Sequence, residues 1–353
     1  MRYIVRLRIL ASIILIGGGG LLASTTYIVT QQRITKQANI KFGEITAAHL
    51  DELSHHLETY SNVLYATRAL FASAEVNSAA WDGFIDNQAL AQRYPGMQAA
   101  AYAEVVPRQD LTAYEKRMQG TYSSAFHVHP LKNQGDYVAI TFHEETAPTP
   151  THAGSLGLDI ANDPARQDAL GRAGRSNGIA ATAPIRLATK QGTGFLLVSP
   201  VKNKRGFQTE NTFGYSVAEF DIEDLIEASM GSRLIQYRTS TTITDVTDDK
   251  PITFYERDFK TTERTVANEV ILDVADRKWL ISFRAPTSSL LMITDRMAPT
   301  FVLLAGIGCV LLGCIAVYTL RLRYKLSCTL TTMDVSAGSV STAPHAGNIE
   351  TRK

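Results

Sequence analysis

Two long apolar runs enclose a more polar middle in this chain. Ile9 to Val29 contains 21 residues without a charge, and a second run from Phe301 to Leu320 follows Pro299. About 20 apolar residues suffice for a helix to cross a bilayer, and within lipid only a helix satisfies the polar groups of a single segment. The pattern therefore predicts transmembrane helices at residues 9–29 and 299–320.

Basic side chains flank both runs, before the first and after the second. They are Arg2, Arg6, Arg8, Arg321, Arg323 and Lys325. Because cytoplasmic flanks are rich in Lys and Arg, both chain ends are predicted to be cytoplasmic and the middle extracytoplasmic. This topology predicts a multi-pass protein of the cell (inner) membrane with a large periplasmic domain. A signal peptide cleaved near Ser24 is the alternative interpretation of the first run.

Apolar residues recur at helical spacing through residues 30–75, which predicts a long stalk helix. A seam with alternating spacings of three and four runs through Leu50, Leu53, Leu57, Tyr60, Leu64, Thr67 and Phe71. Such a seam fits two arrangements: the helix packs it against its own domain, or it pairs with a second copy. We favour a homodimer, although both arrangements are open on the sequence alone.

The stretch from Gly154 to Lys202 predicts a helix lying on a sheet. Ser155 to Ile160 alternates as a strand does, and Asp163 with Pro164 is typical of a helix start. Gly178 is expected to end that helix in the left-handed conformation. Two apolar runs, Ile179 to Leu187 and Phe195 to Val201, then predict an antiparallel hairpin. A helix on such a sheet can enclose a pocket for a small molecule.

Further segments on both sides of this stretch predict an α+β fold with antiparallel sheets. The helical ones are residues 81–93, 111–119 with Asp110 as cap, and a short helix beginning at Asp221. The strand-like ones are residues 98–106, 138–142, 213–220, 233–238, 252–257, 266–274 and 279–284. Residues 143–152 are expected to form a surface loop.

Several sequence blocks, in order, resemble one family. They are Tyr94-Pro-Gly-Met-Gln-Ala99, Val105-Val-Pro-Arg108, Gly157-Leu-Asp159, Asp163-Pro164 with Arg166, Ala181-Thr-Ala-Pro-Ile-Arg-Leu187, and Gly194-Phe-Leu-Leu-Val-Ser-Pro-Val-Lys202. This arrangement resembles the CHASE domain, the extracytoplasmic sensor module of cytokinin-receptor histidine kinases and many bacterial sensors. The resemblance covers residues 76–286. It implies a long N-terminal helix and two PAS-like subdomains, of which the membrane-distal one binds the ligand.

The predicted organisation follows from these segments. It consists of a cytoplasmic N-terminus (1–8), a transmembrane helix (9–29), the stalk helix (30–75), the CHASE-like sensor domain (76–286), a juxtamembrane linker (287–298), a second transmembrane helix (299–320) and a disordered cytoplasmic tail (321–353).

Composition and motifs narrow the function classes. The formal net charge is +1, which does not favour nucleic-acid binding. Cys309, Cys314 and Cys328 all lie in or after the second apolar run, so the middle folds without disulfides. His127 and His129 share a strand-like spacing, but no further metal ligand lies at a matching distance in the sequence. With no catalytic or phosphate-binding motif either, we expect no enzyme activity, no metal and no cofactor.

The resemblance also indicates ligand-contacting positions. Aligned without gaps from Asp159 to Pro200, the polar contacts of the cytokinin receptors fall on Arg166, Ala188 and Val198. The family's aspartate and threonine are replaced here by an arginine and a valine, which argues against cytokinin. A guanidinium can grip a carboxylate or phosphate, so we expect a small organic anion as ligand.

Further ligand-contacting candidates come from the hairpin. Phe195 and Leu197 would supply an apolar surface together with Leu187 and Val198. Thr182 is a further candidate ligand contact. Thr182 and Asp159 equally suit structural roles at strand ends. The competing interpretation of Arg166 is that it forms a solvated helix face with Arg172 and Arg175.

Three functions fit these features. The leading hypothesis is a membrane-bound sensor or receptor that binds a small ligand and signals through a separate cytoplasmic kinase or cyclase. Residues 321–353 hold no output motif, which motivates that partner. The alternatives are an envelope structural or dimerisation protein without a small ligand, and a truncated receptor that has lost its output module.

Overall fold

The computed structural model describes residues 2–146, 155–187, 192–202 and 212–338. The chain divides into two compact units. One comprises Met1–Gln37 with Leu291–Lys353, and the other comprises Ala38–Leu290. The second unit contains both β-sheets and is described first.

Helix α1 runs from Arg2 to Ser73 without interruption. Beyond Gln37 it buries a stripe of side chains against its own domain, and the predicted seam is part of that stripe. Six of the seven seam residues are buried, namely Leu53, Leu57, Tyr60, Leu64, Thr67 and Phe71. Leu50 is half-buried. The seam therefore packs within one subunit, because those apolar side chains cover the domain's sheets. The expectation that this seam pairs two copies is corrected accordingly.

The larger sheet has six strands, all paired antiparallel, in the order β2-β1-β6-β5-β3, with β4 also pairing with β5. These strands are β1 Met97–Val106, β2 Tyr137–Glu145, β3 Ala180–Ala181, β4 Ile185–Arg186, β5 Thr193–Lys202 and β6 Thr212–Asp221. The hairpin predicted from Ile179 to Val201 is present, since β3 and β4 both pair with β5. Strand β2 continues to Glu145, beyond the predicted start of a loop at residue 143.

The two faces of this sheet are covered by different helices. Helix α5 (Pro164–Ser176) packs on one face, where alternate residues such as Ile140, Leu196 and Val217 share a core with Leu170. The other face meets α1. Helices α2 (Ser78–Gln88), α3 (Leu90–Arg93) and α4 (Leu111–Thr121) complete the domain around that face. Asp110 precedes α4 but makes no side-chain capping hydrogen bond.

The ends of α5 follow local chemistry. The Asp163 carboxylate accepts a hydrogen bond from the Arg166 amide at 3.0 Å, and Pro164 occupies the first turn, as the sequence predicts. The left-handed residue at the other end is Asn177, with φ of 55°, and not Gly178. Asparagine tolerates this conformation through its short polar side chain, so the turn forms one residue earlier than expected.

The strand predicted from Ser155 to Ile160 is not formed. The segment makes a turn and two isolated bridges, His129 to Leu158 and Ala139 to Asp159, and then a 3₁₀ turn at Ile160–Asn162. Gly157 has φ of +81°, which breaks the extended conformation that a regular strand requires. The alternation of leucines reflects this segment's packing beside β2 and α5, not a sheet ladder.

The second sheet has four antiparallel strands in the order β8-β7-β10-β9. They are β7 Ser240–Asp245, β8 Ile252–Arg257, β9 Thr265–Val274 and β10 Arg277–Pro286. The strand predicted at 233–238 is wrong. After α6 (Ile222–Ile226) and the π-helical turn Glu227–Gly231, the chain forms helix α7 (Ser232–Gln236), because its buried stripe continues through Leu234. The missed strand β7 is rich in threonine and lacks the strong apolar alternation of its neighbours.

The other unit contains the first part of α1 and helix α9, which runs from Ile293 to Gly338 after the short helix α8 (Thr287–Leu290). Among the described residues, Ile293–Arg323 is the helix long and apolar enough to cross a membrane, with a mean hydropathy of 2.6. It contains the predicted span at 299–320. The predicted span at 9–29 lies in α1. The structure does not describe the side chains of residues 2–13, so this span stays a prediction.

Helices α1 and α9 approach closely at small residues in this unit. A Cβ added at Gly306 would lie 2.6 Å from the Ala23 Cβ, and one at Gly19 would lie 2.9 Å from Val310. Such contacts require glycine, as is common where membrane helices pack. Helix α9 continues to Gly338, so the first part of the predicted disordered tail is helical. Residues 339–353 lie outside the described part.

Candidate functional site

A small cavity lies between the first turn of α5 and the sheet beneath it. Its apolar walls include Ile140, Leu196 and Val217, and its polar lining includes Arg166 and Glu219. It encloses about 20 Å³. A buried water needs about 10–15 Å³, so the cavity as it stands has room for about one water molecule.

Arg166 is the residue that gives this cavity its chemistry. Its backbone is fixed by the hydrogen bond to the Asp163 cap, which places the side chain in the first turn of α5. The Nε atom is buried and has no hydrogen-bond partner among the described residues. An unsatisfied buried donor costs roughly 1–3 kcal/mol. A guanidinium held in this way is prepared for an acceptor that the described residues do not provide.

The surroundings of Arg166 favour an anion. Free backbone N–H groups and the helix dipole place partial positive charge at the start of α5, and the guanidinium adds a full charge. His143 and Glu219 also line the cavity, and both already engage other groups. Arg166 is the arginine of the described lining, and its Nε has no hydrogen-bond partner among the described residues.

The other two arginines of α5 behave differently from Arg166. Arg172 donates to Asp168 at 2.8 Å, to the carbonyl of Ala181 at 2.7 Å and to Asp276. Burial acts to lower the pKa of Arg172, but its hydrogen bonds to Asp276 and Asp168 outweigh burial and raise the pKa overall. Arg175 is exposed. The three residues therefore do not form one solvated face, because Arg172 is committed to structural contacts.

The structure separates the sequence-predicted hairpin residues. Val198 lies on the α5 face of β5 and belongs to the core beneath the helix. Phe195 and Leu197 point to the opposite face, because successive side chains of a strand alternate. The Phe195 ring packs against Phe220, with centroids 5.1 Å apart, and against Trp279 at 4.9 Å. Phe195 and Leu197 consequently do not line the cavity that Arg166 lines.

Two predicted ligand contacts remain, Thr182 and Ala188, and only Thr182 lies among the described residues. The Thr182 hydroxyl accepts a hydrogen bond from the Leu196 amide at 3.0 Å, and the Thr182 amide donates to the Leu196 carbonyl at 2.9 Å. Thr182 thus ties the strand end, the structural role considered for it. Ala188 falls in residues 188–191, outside the described residues.

Asp159 also has a structural role. Its carboxylate accepts hydrogen bonds from the amides of Val138 and Ala161, and pairs with Lys132 at 2.8 Å.

Sequence reasoning missed the cavity residues contributed by neighbouring strands. Leu196 lies between Phe195 and Leu197, so period-two alternation from Val198 would have identified it. Ile140 and Val217 carry no such signal, because their approach depends on β1 and β6 lying between β2 and β5 in the sheet.

Metal binding has no support in the described part of the chain. The rings of His127 and His129 lie 5.4 Å apart, but no group of three or more potential ligands surrounds them or any other site there.

Comparisons with known proteins place the domain in a family. The family model of the CHASE domain matches residues 74–255, more than half of the 353 residues. The match ends within β8, whereas the sequence blocks led us to expect residues 76–286. No curated protein matches the chain.

Several solved structures share a distant likeness. The periplasmic sensory domain of the chemoreceptor Tlp1 from Campylobacter jejuni is 15% identical, with a TM-score of 0.42, and the match covers 73% of this chain and 93% of that one. The ligand-binding domain of the Pseudomonas aeruginosa PAO1 amino-acid chemoreceptor PctC, in complex with GABA, is 9% identical. Its TM-score is 0.42, with coverage of 70% and 99%. The ligand-binding domain of Mlp24 with asparagine is 12% identical with a TM-score of 0.40, covering 74% and 97%.

The family match contains all of the sequence blocks, and it spans α5, the large sheet and the cavity described above. The chain therefore belongs to the CHASE domain family and carries a sensory, ligand-binding module of that family.

Proposed function

We propose that this protein is a membrane-bound sensor that binds a small organic anion beneath the first turn of α5. The observation that carries the proposal is the buried Arg166 Nε without a partner among the described residues. It lines a cavity whose walls are mostly apolar. A carboxylate attached to a compact apolar or ring portion would match the charged and apolar parts of this cavity together.

Ligand entry requires the cavity to open. A volume of about 20 Å³ admits a water but no organic molecule. The first turn of α5 must therefore move away from Leu196 and Val217 when a ligand enters. This requirement would convert binding into a displacement of α5, which is the change that a sensor has to report.

The second sheet is the natural recipient of that displacement. Arg172 of α5 pairs with Asp276, which lies in the turn between β9 and β10. Strand β10 ends at Pro286, next to α8 and close in sequence to the candidate membrane helix. We propose that movement of α5 is transmitted through this sheet to the membrane helices. The signal then passes to a separate cytoplasmic kinase or cyclase.

The predicted topology and oligomeric state belong to the same proposal. Both chain ends would be cytoplasmic, with residues 30–298 extracytoplasmic. A homodimer, if formed, cannot use the buried seam of α1. It would use the exposed side of that helix, which carries Ile40 and Tyr65 with 55% and 49% of their surface exposed.

The test is a thermal-shift screen of small carboxylates against the full chain in lipid nanodiscs. A ligand at a hundred times its Kd stabilises by about 2.7 kcal/mol, which a melting curve resolves. Arg166→Ala should weaken the best carboxylate about ten- to a hundredfold, the loss of one charge-assisted hydrogen bond. Arg175→Ala, at the exposed end of α5, is the matched control and should change affinity little.

The outcomes separate the competing functions. A panel in which no carboxylate stabilises the protein would favour an envelope scaffold without a small ligand. If a carboxylate stabilises the protein but binds Arg166→Ala with unchanged affinity, this cavity is not the ligand site.

A further inference from the structure

His49 is a fully buried histidine at the contact between α1 and the second sheet. Its ring lies 6.0 Å from the Phe283 ring of β10. Neither ring nitrogen has a hydrogen-bond partner among the described residues. A neutral imidazole carries one donor and one acceptor, and protonation turns both nitrogens into donors. A proton bound at His49 therefore creates a buried cation at a contact that is arranged for a neutral ring.

The second sheet faces His49 with one row of side chains, because directly opposite residues of paired strands share a face. From β8 across to β9 the row consists of Arg257, Thr241, Phe283 and Asn268. The Asn268 amide donates to the Thr46 hydroxyl of α1 at 2.7 Å. Arg257 pairs with Glu227, which lies outside the row, at 3.0 Å. The row therefore presents a positive charge and no carboxylate to His49.

Two charged side chains flank His49 on the helical side of the contact. Glu52 follows three positions later on α1, which makes the two residues neighbours on the helix surface. Arg233 belongs to α7 and pairs with Glu52 at 2.9 Å. Burial lowers the pKa of His49, the charge of Arg233 lowers it further, and Glu52 raises it. One carboxylate thus lies within reach of two groups, an arginine that is always charged and a histidine that becomes charged in acid.

We propose that protons are a second input to this protein and that His49 receives them. When His49 binds a proton, the Glu52 carboxylate leaves Arg233 and pairs with the imidazolium on its own helix. The ion pair between α1 and α7 is thereby lost. Helix α7 ends at Gln236, just before β7 begins at Ser240, so its release loosens the start of the second sheet. This input does not depend on the Arg166 cavity.

Burial decides which cation Glu52 neutralises. The Arg233 side chain is 47% exposed, so water solvates its charge once Glu52 has left. The buried imidazolium has no such access to water, and an unpaired buried charge costs far more than an exposed one. Neutral His49 needs no carboxylate, and Glu52 then stays with Arg233. Because the pKa of His49 is lowered, the exchange takes place in acid, below about pH 6.5.

Hydrogen exchange of the full chain in nanodiscs, followed by mass spectrometry, measures the release of α7. Exchange is compared at about pH 7.5 and about pH 5, after correction for the intrinsic pH dependence of amide exchange. We expect peptides of α7 to exchange at least about tenfold faster at the lower pH. Peptides of β1 and β6, in the core of the large sheet, should keep their protection. This comparison separates a local release from unfolding of the whole domain.

Three variants test the roles of the named residues. His49→Leu should abolish the acid effect at α7, whereas His55→Gln, at an exposed position of the same helix, is the control and should retain it. Arg233→Gln should show fast exchange of α7 at both pH values, because it lacks the ion pair that holds this helix. Protection of β1 and β6 in each variant reports that the domain is folded.

The proposal is overturned by any of three results. They are α7 exchange that does not accelerate in acid, acceleration that persists in His49→Leu, and acceleration of β1 and β6 equal to that of α7. Arg166→Ala should retain the full acid effect. Failure of the carboxylate site and failure of the proton input are therefore distinguishable.

Discussion

Arg172 on α5 and Asp276 in the turn between β9 and β10 form an ion pair that joins the helix over the Arg166 cavity to the second sheet. The other oxygen of Asp276 accepts a hydrogen bond from the Ala181 amide at 2.9 Å, and Arg172 donates to the Ala181 carbonyl. Helix α5, strand β3 and the distant β9–β10 turn thus meet at one carboxylate. A movement of α5 cannot leave the β9–β10 turn unaffected while this contact persists.

We predict that Asp276→Ala and Arg172→Ala each destabilise the domain and that their effects are not additive. Both side chains are partly exposed, so the coupling energy should be about 1 kcal/mol. The measurement is a double-mutant cycle on urea unfolding of the full chain. Fluorescence reports this unit specifically, because both tryptophans of the chain, Trp81 and Trp279, are buried in it.

The exposed pair Lys278 and Asp273 provides the control, and Asp273→Ala should have little effect. Strictly additive losses at Arg172 and Asp276 would show that the two residues do not interact in solution. The proposed route from α5 to the second sheet would then lack its connection.

We predict that the stability of the folded domain depends on pH through His49. Its ring lies within the α1 interface, 6.0 Å from the Phe283 ring, and neither nitrogen has a hydrogen-bond partner among the described residues. Burial lowers the pKa of His49, the charge of Arg233 lowers it further, and Glu52 acts in the opposite direction. The folded state therefore holds this ring neutral, whereas the unfolded chain protonates it near pH 6.5.

The direction of this pH dependence follows from proton uptake. Below about pH 6.5 the unfolded state binds more protons than the folded state, so stability falls as the pH decreases towards the lowered pKa of His49. Above that pH the contribution is constant. His49→Leu should flatten the slope of unfolding free energy between about pH 5 and 7. His55→Gln, at an exposed position of α1, should not, and an unchanged slope in His49→Leu would contradict the assignment.

Gly157 should be far less tolerant of substitution than Gly135. Both have positive φ, +81° and +78°, so alanine at either position adopts a left-handed conformation costing about 1–2 kcal/mol. At Gly157 the added Cβ would also fall 2.3 Å from the carbonyl oxygen of His127, whereas at Gly135 nothing lies within 4 Å. We expect Gly157→Ala to lower the unfolding free energy by at least about 3 kcal/mol.

The same urea titration compares the two variants. Gly135→Ala isolates the backbone strain, and the difference between the variants reports the steric clash at His127. Equal effects at both positions would mean that the turn at Gly157 is free to rearrange.

The topology is testable with the cysteines of the chain. The predicted extracytoplasmic region contains none, and Cys328 lies on the predicted cytoplasmic side. A cysteine introduced by Asp249→Cys, in an exposed turn before β8, should react with a membrane-impermeant maleimide in intact spheroplasts. Cys328 should react only after permeabilisation. Labelling in the reverse order would refute the orientation.

Much of the local structure was determined by the sequence alone, because its causes are local. The long helix α1, the Asp163 cap with Pro164, and the β3–β5 pairing depend on spacing and on residues close in the chain. The ordered family blocks likewise identified the CHASE domain, since each is a short motif. Apolar length and flanking charge led to the predicted membrane helices in the same way.

The tertiary structure decided which partner each surface meets. The seam of α1 could equally face a second copy or its own sheets, and only the folded domain buries Tyr60 and Leu64 internally. Phe195 and Leu197 look equivalent to Val198 in the sequence, but the placement of α5 on one face of β5 separates them. Arg166 and Arg172 lie less than two turns apart on one helix. Asp276, 104 residues beyond Arg172, pairs with Arg172, whereas the Arg166 Nε has no hydrogen-bond partner among the described residues. Contacts between distant segments depend on packing and charge in three dimensions, which no local periodicity encodes.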